Sequence, residues 1–163
     1  MVSGGYQFRP MMHDDLPIIQ RWLGEPHVIE WWGDPGEQLE LVTEDLDEPA
    51  MRQFIVAHDG EPFGYIQAYD LQSWPDPAFA MHPRGTQAID QFIGKPGMID
   101  RGHGSAFIRL FIDRLTAEGA PRVITDPDPN NPRAVRAYEK AGFIKQGIVQ
   151  TRDGPALLMV RDI

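Results

Sequence analysis

The stretch AIDQFIGKPGMIDRGHGSAFIRLFIDRL, residues 88–115, most constrains this chain: a strand-like run leads through Gly102 and Gly104 into a broad apolar helical face. Ala88 to Ile93 alternates as a strand does, with Asp90 interrupting it. Phe107, Ile108, Phe111, Ile112 and Leu115 recur at helical offsets. Two glycines at a helix start leave backbone N–H groups uncovered by side chains, and the helix dipole adds potential favourable to an anion. Arg101 and His103 are placed to pair with phosphate or to face solvent. The eight-residue P-loop spacing is absent, and so is the acidic residue that a dinucleotide fold would want. Tight helix packing would explain the glycines without any ligand.

A second constraint is ITDPDPNNPRAVRAYEKAGF, residues 124–143. Val123 to Thr125 reads as a strand, and prolines at 127, 129 and 132 then stiffen the connection and remove backbone donors. Asn131 is a cap for a helix begun at Pro132, and the spacing predicts that helix over 134–141. Ala134, Ala137, Tyr138 and Ala141 share one face, so the tyrosine hydroxyl stands over a surface kept small. A tyrosine packed on a sheet explains the same pattern without chemistry.

The remaining segments complete an α+β pattern with a mixed sheet. Tyr6 to Arg9 reads as a strand, and a helix runs through Ile18, Ile19, Trp22 and Leu23 to Gly24. The two tryptophans of GEPHVIEWWGDPG fall in what reads as an irregular, proline-bounded segment, followed by a helix over 39–46. Strands over 53–58 and 64–69 flank Asp59-Gly60, a strong hairpin signal. Residues 70–86 carry three prolines and read as a long irregular loop of the kind that is functional or mobile. A closing hairpin runs from Ile144 through Asp153-Gly154-Pro155 to Val160. At 163 residues one domain over 1–163 is expected, since single domains run to roughly 100–200 residues.

Twenty-four acidic against fifteen basic side chains give a net charge of −9. That disfavours nucleic acid or an anionic membrane as the main partner and suits a cationic one. No cysteine is present, so disulfides and thiolate nucleophiles are out. The five histidines never fall at metal-ligand spacing, and no metal is expected. MVSGGYQFRP lacks the apolar core of a leader and no apolar run is long enough to span a membrane, so a cytoplasmic protein is expected.

RGHGSAFIRLFIDRL followed by NPRAVRAYEKAGF resembles the acyl-CoA-binding core of the GNAT N-acyltransferase superfamily. The resemblance implies an α/β/α fold with a central mixed, mostly antiparallel sheet flanked by helices. It also implies acetyl-CoA as co-substrate, held by Ile99, Arg101, Gly102, His103, Gly104, Ser105, Asn131, Ala134 and Tyr138. Position 99 is Arg or Gln in the superfamily and Ile99 here, at a site whose anion binding is largely backbone. HVIEWWGDP, GEPFGYIQAY, AIDQFIG, TDPDPNNPRAVRAYEKAGF and DGPALLMV resemble the aminoglycoside 6'-N-acetyltransferases block by block, from about Leu16 to Val160. Residues 34–50 and 70–86 look more individual.

The implied reaction is direct transfer of an acetyl group from the thioester to a neutral amine, without a covalent enzyme intermediate. The resemblance places Asp90 near the reacting amine as general base or positioning group, and Tyr138 near the sulfur as proton donor. It makes Asp126 and Asp153 acceptor-binding carboxylates. Trp31, Trp32, Tyr65, Asp70 and Asp76 are expected to form an aromatic and acidic wall for a cationic amine, an aminoglycoside first of all. Alternatives are a siderophore precursor or other small amine as acceptor, or a non-catalytic acyl-CoA- or drug-binding domain. A monomer or a homodimer is compatible with the sequence.

Overall fold

The structure, a computed structural model, describes residues 5–163; residues 1–4, at the head of the stretch read for a leader, lie outside it. The strands are β1 (Tyr6–Pro10), β2 (Met51–His58), β3 (Glu61–Asp70), β4 (Gln87–Ile93), β5 (Arg122–Thr125), β6 (Ile144–Thr151) and β7 (Gly154–Asp162). The helices are α1 (Leu16–Leu23), α2 (Pro26–Trp32), α3 (Pro35–Asp45), α4 (His103–Ala117) and α5 (Pro132–Lys140). The strands hydrogen-bond in the order β1-β2-β3-β4-β5-β7-β6. β1 with β2, β5 with β7 and β6 with β7 are antiparallel, and β4 with β5 is parallel. This is the mixed, mostly antiparallel sheet flanked by helices that the sequence led us to expect.

Two compact units make up the chain, the first running to Gln67 and including Gln91–Gly104, the second comprising Ala68–Asp90 and Ser105–Ile163. In the first, α1, α2 and α3 pack on one another. Their apolar faces meet Ile55, Tyr65 and Phe92 in a core that includes Ile19, Trp22, Leu23, Val28 and Val42. In the second, Phe107, Ile108, Phe111, Ile112 and Leu115 of α4 are buried, the face that the periodicity marked. Leu71, Ala88, Ile124 and Val160 form a further apolar cluster there.

The double-tryptophan segment is helical, which corrects the expectation of irregular chain. Glu25 is extended, Pro26 takes the first helical position and Gly33 at φ +89° ends the helix, so these residues bound α2 and do not break it. α3 likewise begins earlier than expected, because Pro35 occupies its first position and the Asp34 carboxylate accepts the Glu37 N–H at 2.9 Å. Residues 70–86 contain two single-turn 3-10 helices, Leu71–Ser73 and Pro77–Phe79, capped by Asp70 and Asp76 respectively. The β2–β3 turn places Asp59 at φ +51° and Gly60 at φ +83°, the geometry that Asp-Gly favours.

Gly94, just past β4, shows how tightly the first core is closed. A Cβ there would overlap the ring of Trp22, which is 3% exposed. G94A should therefore lower the unfolding free energy by about 3 kcal/mol in a urea titration, through overpacking. Wild-type stability would mean that Trp22 can move aside.

Candidate active site

The second unit concentrates carboxylates. β4 and β5 pair in parallel with Gln87 opposite Val123 and Ala88 opposite Ile124. Carried two residues further, that register sets Asp90 level with Asp126, and the Thr125 hydroxyl donates to the Ile89 carbonyl at 3.1 Å to hold it. Beyond β5 the chain is kept extended by Pro127, whose carbonyl accepts the Leu157 N–H at 2.9 Å. The result is a half-buried Asp126 beside a half-buried Asp90.

Asp153 and Asp76 complete the group from two other segments. Asp153 sits exposed at the β6–β7 turn, where its N–H donates to the Thr151 hydroxyl at 3.2 Å. Asp76 accepts the Ala78 N–H at 2.9 Å. Arg152 donates to the Pro75 carbonyl at 3.2 Å and so ties the Asp153 turn to the segment bearing Asp76. Farther along that segment, Arg122 donates to His82 at 3.1 Å and to Asp162 at 2.6 Å.

Burial first, and then Asp90, Asp153 and Asp76, push the Asp126 carboxyl up from 3.8 to about 8. Removing a carboxylate from water penalises its charged form, and nearby like charges penalise it again. Asp126 therefore favours its protonated form in the absence of a cation. An ammonium group is the ligand such a cluster favours, because it neutralises the repulsion and allows the proton to leave.

α5 carries the other reactive candidate. Asn131 caps it, accepting the Ala134 N–H at 3.2 Å, as the sequence indicated. Tyr138 is 4% exposed, with its ring edge-to-face on Phe143 at 5.4 Å, while Ala134 and Ala137 beside it are half-buried. The ring is thereby fixed by packing.

The glycine turn precedes α4. Ile99 is half-buried and extended, Asp100 and Gly102 adopt positive φ of 59° and 84°, and Arg101 is exposed. His103 opens the helix and Gly104 and Ser105 follow, half-buried. The first turn of this 15-residue helix holds no acidic side chain, which suits a phosphate at its positive end. The residues present fit the diphosphate of acetyl-CoA.

Of the remaining expected acceptor contacts Tyr65 is buried, and Trp31, Trp32 and Asp70 are half-buried. Tyr65 is 0% exposed, stacks on Phe92 at 5.3 Å and donates its hydroxyl to Gln67 at 2.6 Å. Trp32 packs edge-on against Phe92 and Tyr65 at 5.1 and 6.2 Å, while Trp31 is half-buried. Asp70 accepts the Gln72 N–H at 2.8 Å and is not among the carboxylates acting on Asp126. His103 is buried and bonded to Tyr6, so it does not stand exposed beside Arg101. Arg122, Arg152, Tyr6 and His58 went unnoticed in the sequence because each acts through a partner 40 or more residues away. Among the described residues no group of three or more His, Cys, Asp or Glu could hold a metal ion, and no helix is long and apolar enough to cross a membrane.

A sheet of this topology, a glycine turn opening a long helix and a capped Asn-to-Tyr helix define an acyl-CoA-dependent transferase, and the acetyltransferase (GNAT) domain family matches residues 11–151: the chain belongs to it. Its relatives narrow the class. The aminoglycoside N(6')-acetyltransferase type 1 of Klebsiella pneumoniae is 34% identical over 94% of this chain and 81% of its own. A kanamycin resistance protein of Rhizobium radiobacter is 41% identical over 47% of this chain and 72% of its own. The solved structure of aminoglycoside acetyltransferase AAC(6')-Ib with coenzyme A and kanamycin matches with a TM-score of 0.87 at 33% identity, over 96% of this chain and 94% of that one. The resemblance read from the motif blocks is borne out.

The raised carboxyl predicts a pH signature. Because the folded value lies above the unfolded one, the folded state keeps a proton that the unfolded state has lost, and stability falls as pH rises from about 4 to about 8. D126N removes that dependence. Denaturant titrations should find the variant similar to wild type near pH 4 and more stable by a few kcal/mol, to order of magnitude, above pH 8. Parallel pH profiles would show that Asp126 ionises freely.

Proposed function

We propose that this chain transfers the acetyl group of acetyl-CoA to the 6'-amine of an aminoglycoside, as a single N-acetyltransferase domain over residues 1–163 acting in the cytoplasm. The observation that carries the acceptor assignment is the carboxylate group around Asp126, a site built for a polycation within an acetyl-CoA-dependent family.

The chain's own residues supply each step. Asp126, Asp153 and Asp76 draw in the ammonium groups of the acceptor. Asp90 takes a proton from the reacting ammonium and frees the nitrogen lone pair. The turn of Ile99, Arg101, Gly102, Gly104 and Ser105 and the start of α5 at Asn131 and Ala134 hold the donor. The nitrogen forms the amide bond to the acetyl carbon and sheds its second proton to solvent as the carbon–sulfur bond breaks, and the Tyr138 hydroxyl gives its proton to the departing sulfur. Solvent returns a proton to Tyr138 and removes the one held by Asp90. No side chain becomes acetylated, consistent with the absence of cysteine.

Thiol release from acetyl-CoA with kanamycin, tobramycin or a siderophore-type amine, with mass detection of the products, tests this. Acetylation of the 6'-amine is expected. D90N should lower kcat by about 100-fold or more, and Y138F should lower it by about 10- to 100-fold with the KM for acetyl-CoA retained. Release only with the siderophore-type amine, or with none, would overturn the acceptor assignment. Unchanged turnover in Y138F would make that ring a packing element only.

A further inference from the structure

Four rings from four elements meet behind the glycine turn. Tyr6 opens β1 and lies directly opposite His58, the last residue of β2, in the antiparallel register. Phe63 belongs to β3, and His103 is the first residue of α4. Ring centroids are 4.8 Å apart for Tyr6 and His58, 5.0 Å for His58 and His103, and 5.5 Å for Phe63 and His103. The Tyr6 hydroxyl lies 2.6 Å from His103 Nδ1, and His103 is 7% exposed. It is the one side chain between Gly102 and Gly104.

We propose that His103 is a positioning residue for coenzyme A, held by Tyr6 and the His58–Phe63 rings so that the glycine turn is ordered before the diphosphate arrives. The inference rests on the acetyl-CoA reading of this turn. Two glycines flanking one residue give the backbone conformational freedom that binding would otherwise have to remove, and an inward anchor removes it in advance. Nothing in this role requires His103 to touch the ligand.

The charge states around the ring suit such an anchor. Burial first, then His58 and Arg101, hold the His103 imidazole below its ordinary range, so it is neutral at pH 7. A proton on it would also stand at the positive end of α4. Burial, with Asp59 adding to it, holds the Tyr6 hydroxyl above its ordinary value, so it remains a donor. In the proposed arrangement the Tyr6 hydroxyl donates to Nδ1, with the ring hydrogen on Nε2.

Calorimetric titration of coenzyme A into the full chain needs no acceptor and separates the possibilities. Y6F, which keeps every ring, should weaken binding about fivefold, the loss of one partly buried hydrogen bond. H103A should weaken it more. H103N should recover part of that loss, because its amide oxygen can accept the Tyr6 hydroxyl. In turnover assays the KM for acetyl-CoA should rise in the same order, with kcat at saturation within about twofold of wild type. Thermal melts of each variant identify any that fail to fold, and Y6F decides if H103A does. Wild-type affinity in both Y6F and H103N would overturn the proposal, and so would a loss in H103A that H103N does not recover while Y6F binds normally. A wild-type chain that binds no coenzyme A would overturn the acetyl-CoA reading itself.

Discussion

Burial and the like charges of three neighbouring carboxylates oppose ionisation of the half-buried Asp126, and the chemistry of the second unit follows from that constraint. Its origin is the parallel pairing of β4 with β5, which brings Asp90 level with Asp126. Solvation is reduced where the strand ends, and the neighbouring charges finish the work of keeping Asp126 protonated. An empty site of this kind is electrostatically frustrated. A cationic amine relieves the frustration, so binding and proton movement are coupled before any bond is made.

The supporting bonds make sense in that light. Asp76 comes from a segment with no strand pairing and Asp153 from the tip of the β6–β7 hairpin, and repulsion would drive them apart. The bond from Arg152 to the Pro75 carbonyl and the contacts of Arg122 with His82 and Asp162 oppose that separation. These cations stabilise the surrounding chain while leaving the carboxylates able to receive a ligand. At the other functional element the logic is reversed. The first turn of α4 is kept free of acidic residues, and its first side chain is drawn into a cluster of rings.

Much of this was legible in the sequence where the signal was local. The buried face of α4, the Asn131 cap, the Asp-Gly turn and Asp90 in its strand all depend on neighbours within a few residues. Prolines 26 and 35 were misleading because a proline at the first helical position and one that breaks a helix look alike until the following turn is seen. Tyr65 matched an acceptor-side block, yet its place in the core depends on Trp32 and Phe92, which alternation in β3 alone does not reveal. The Tyr6–His103 bond spans 97 residues and depends on β1 pairing with β2, which no spacing rule encodes.

The measurement closest to the central claim is the proton balance of acceptor binding, obtained by calorimetry of kanamycin with wild type and D126N in buffers of differing ionisation enthalpy at pH 7. The account predicts that wild type releases about one more proton per acceptor bound than D126N does, since Asp126 starts protonated and ends paired with an ammonium. Equal proton balances in the two proteins would contradict it, because the carboxylate cluster would then not be the element that couples charge to binding.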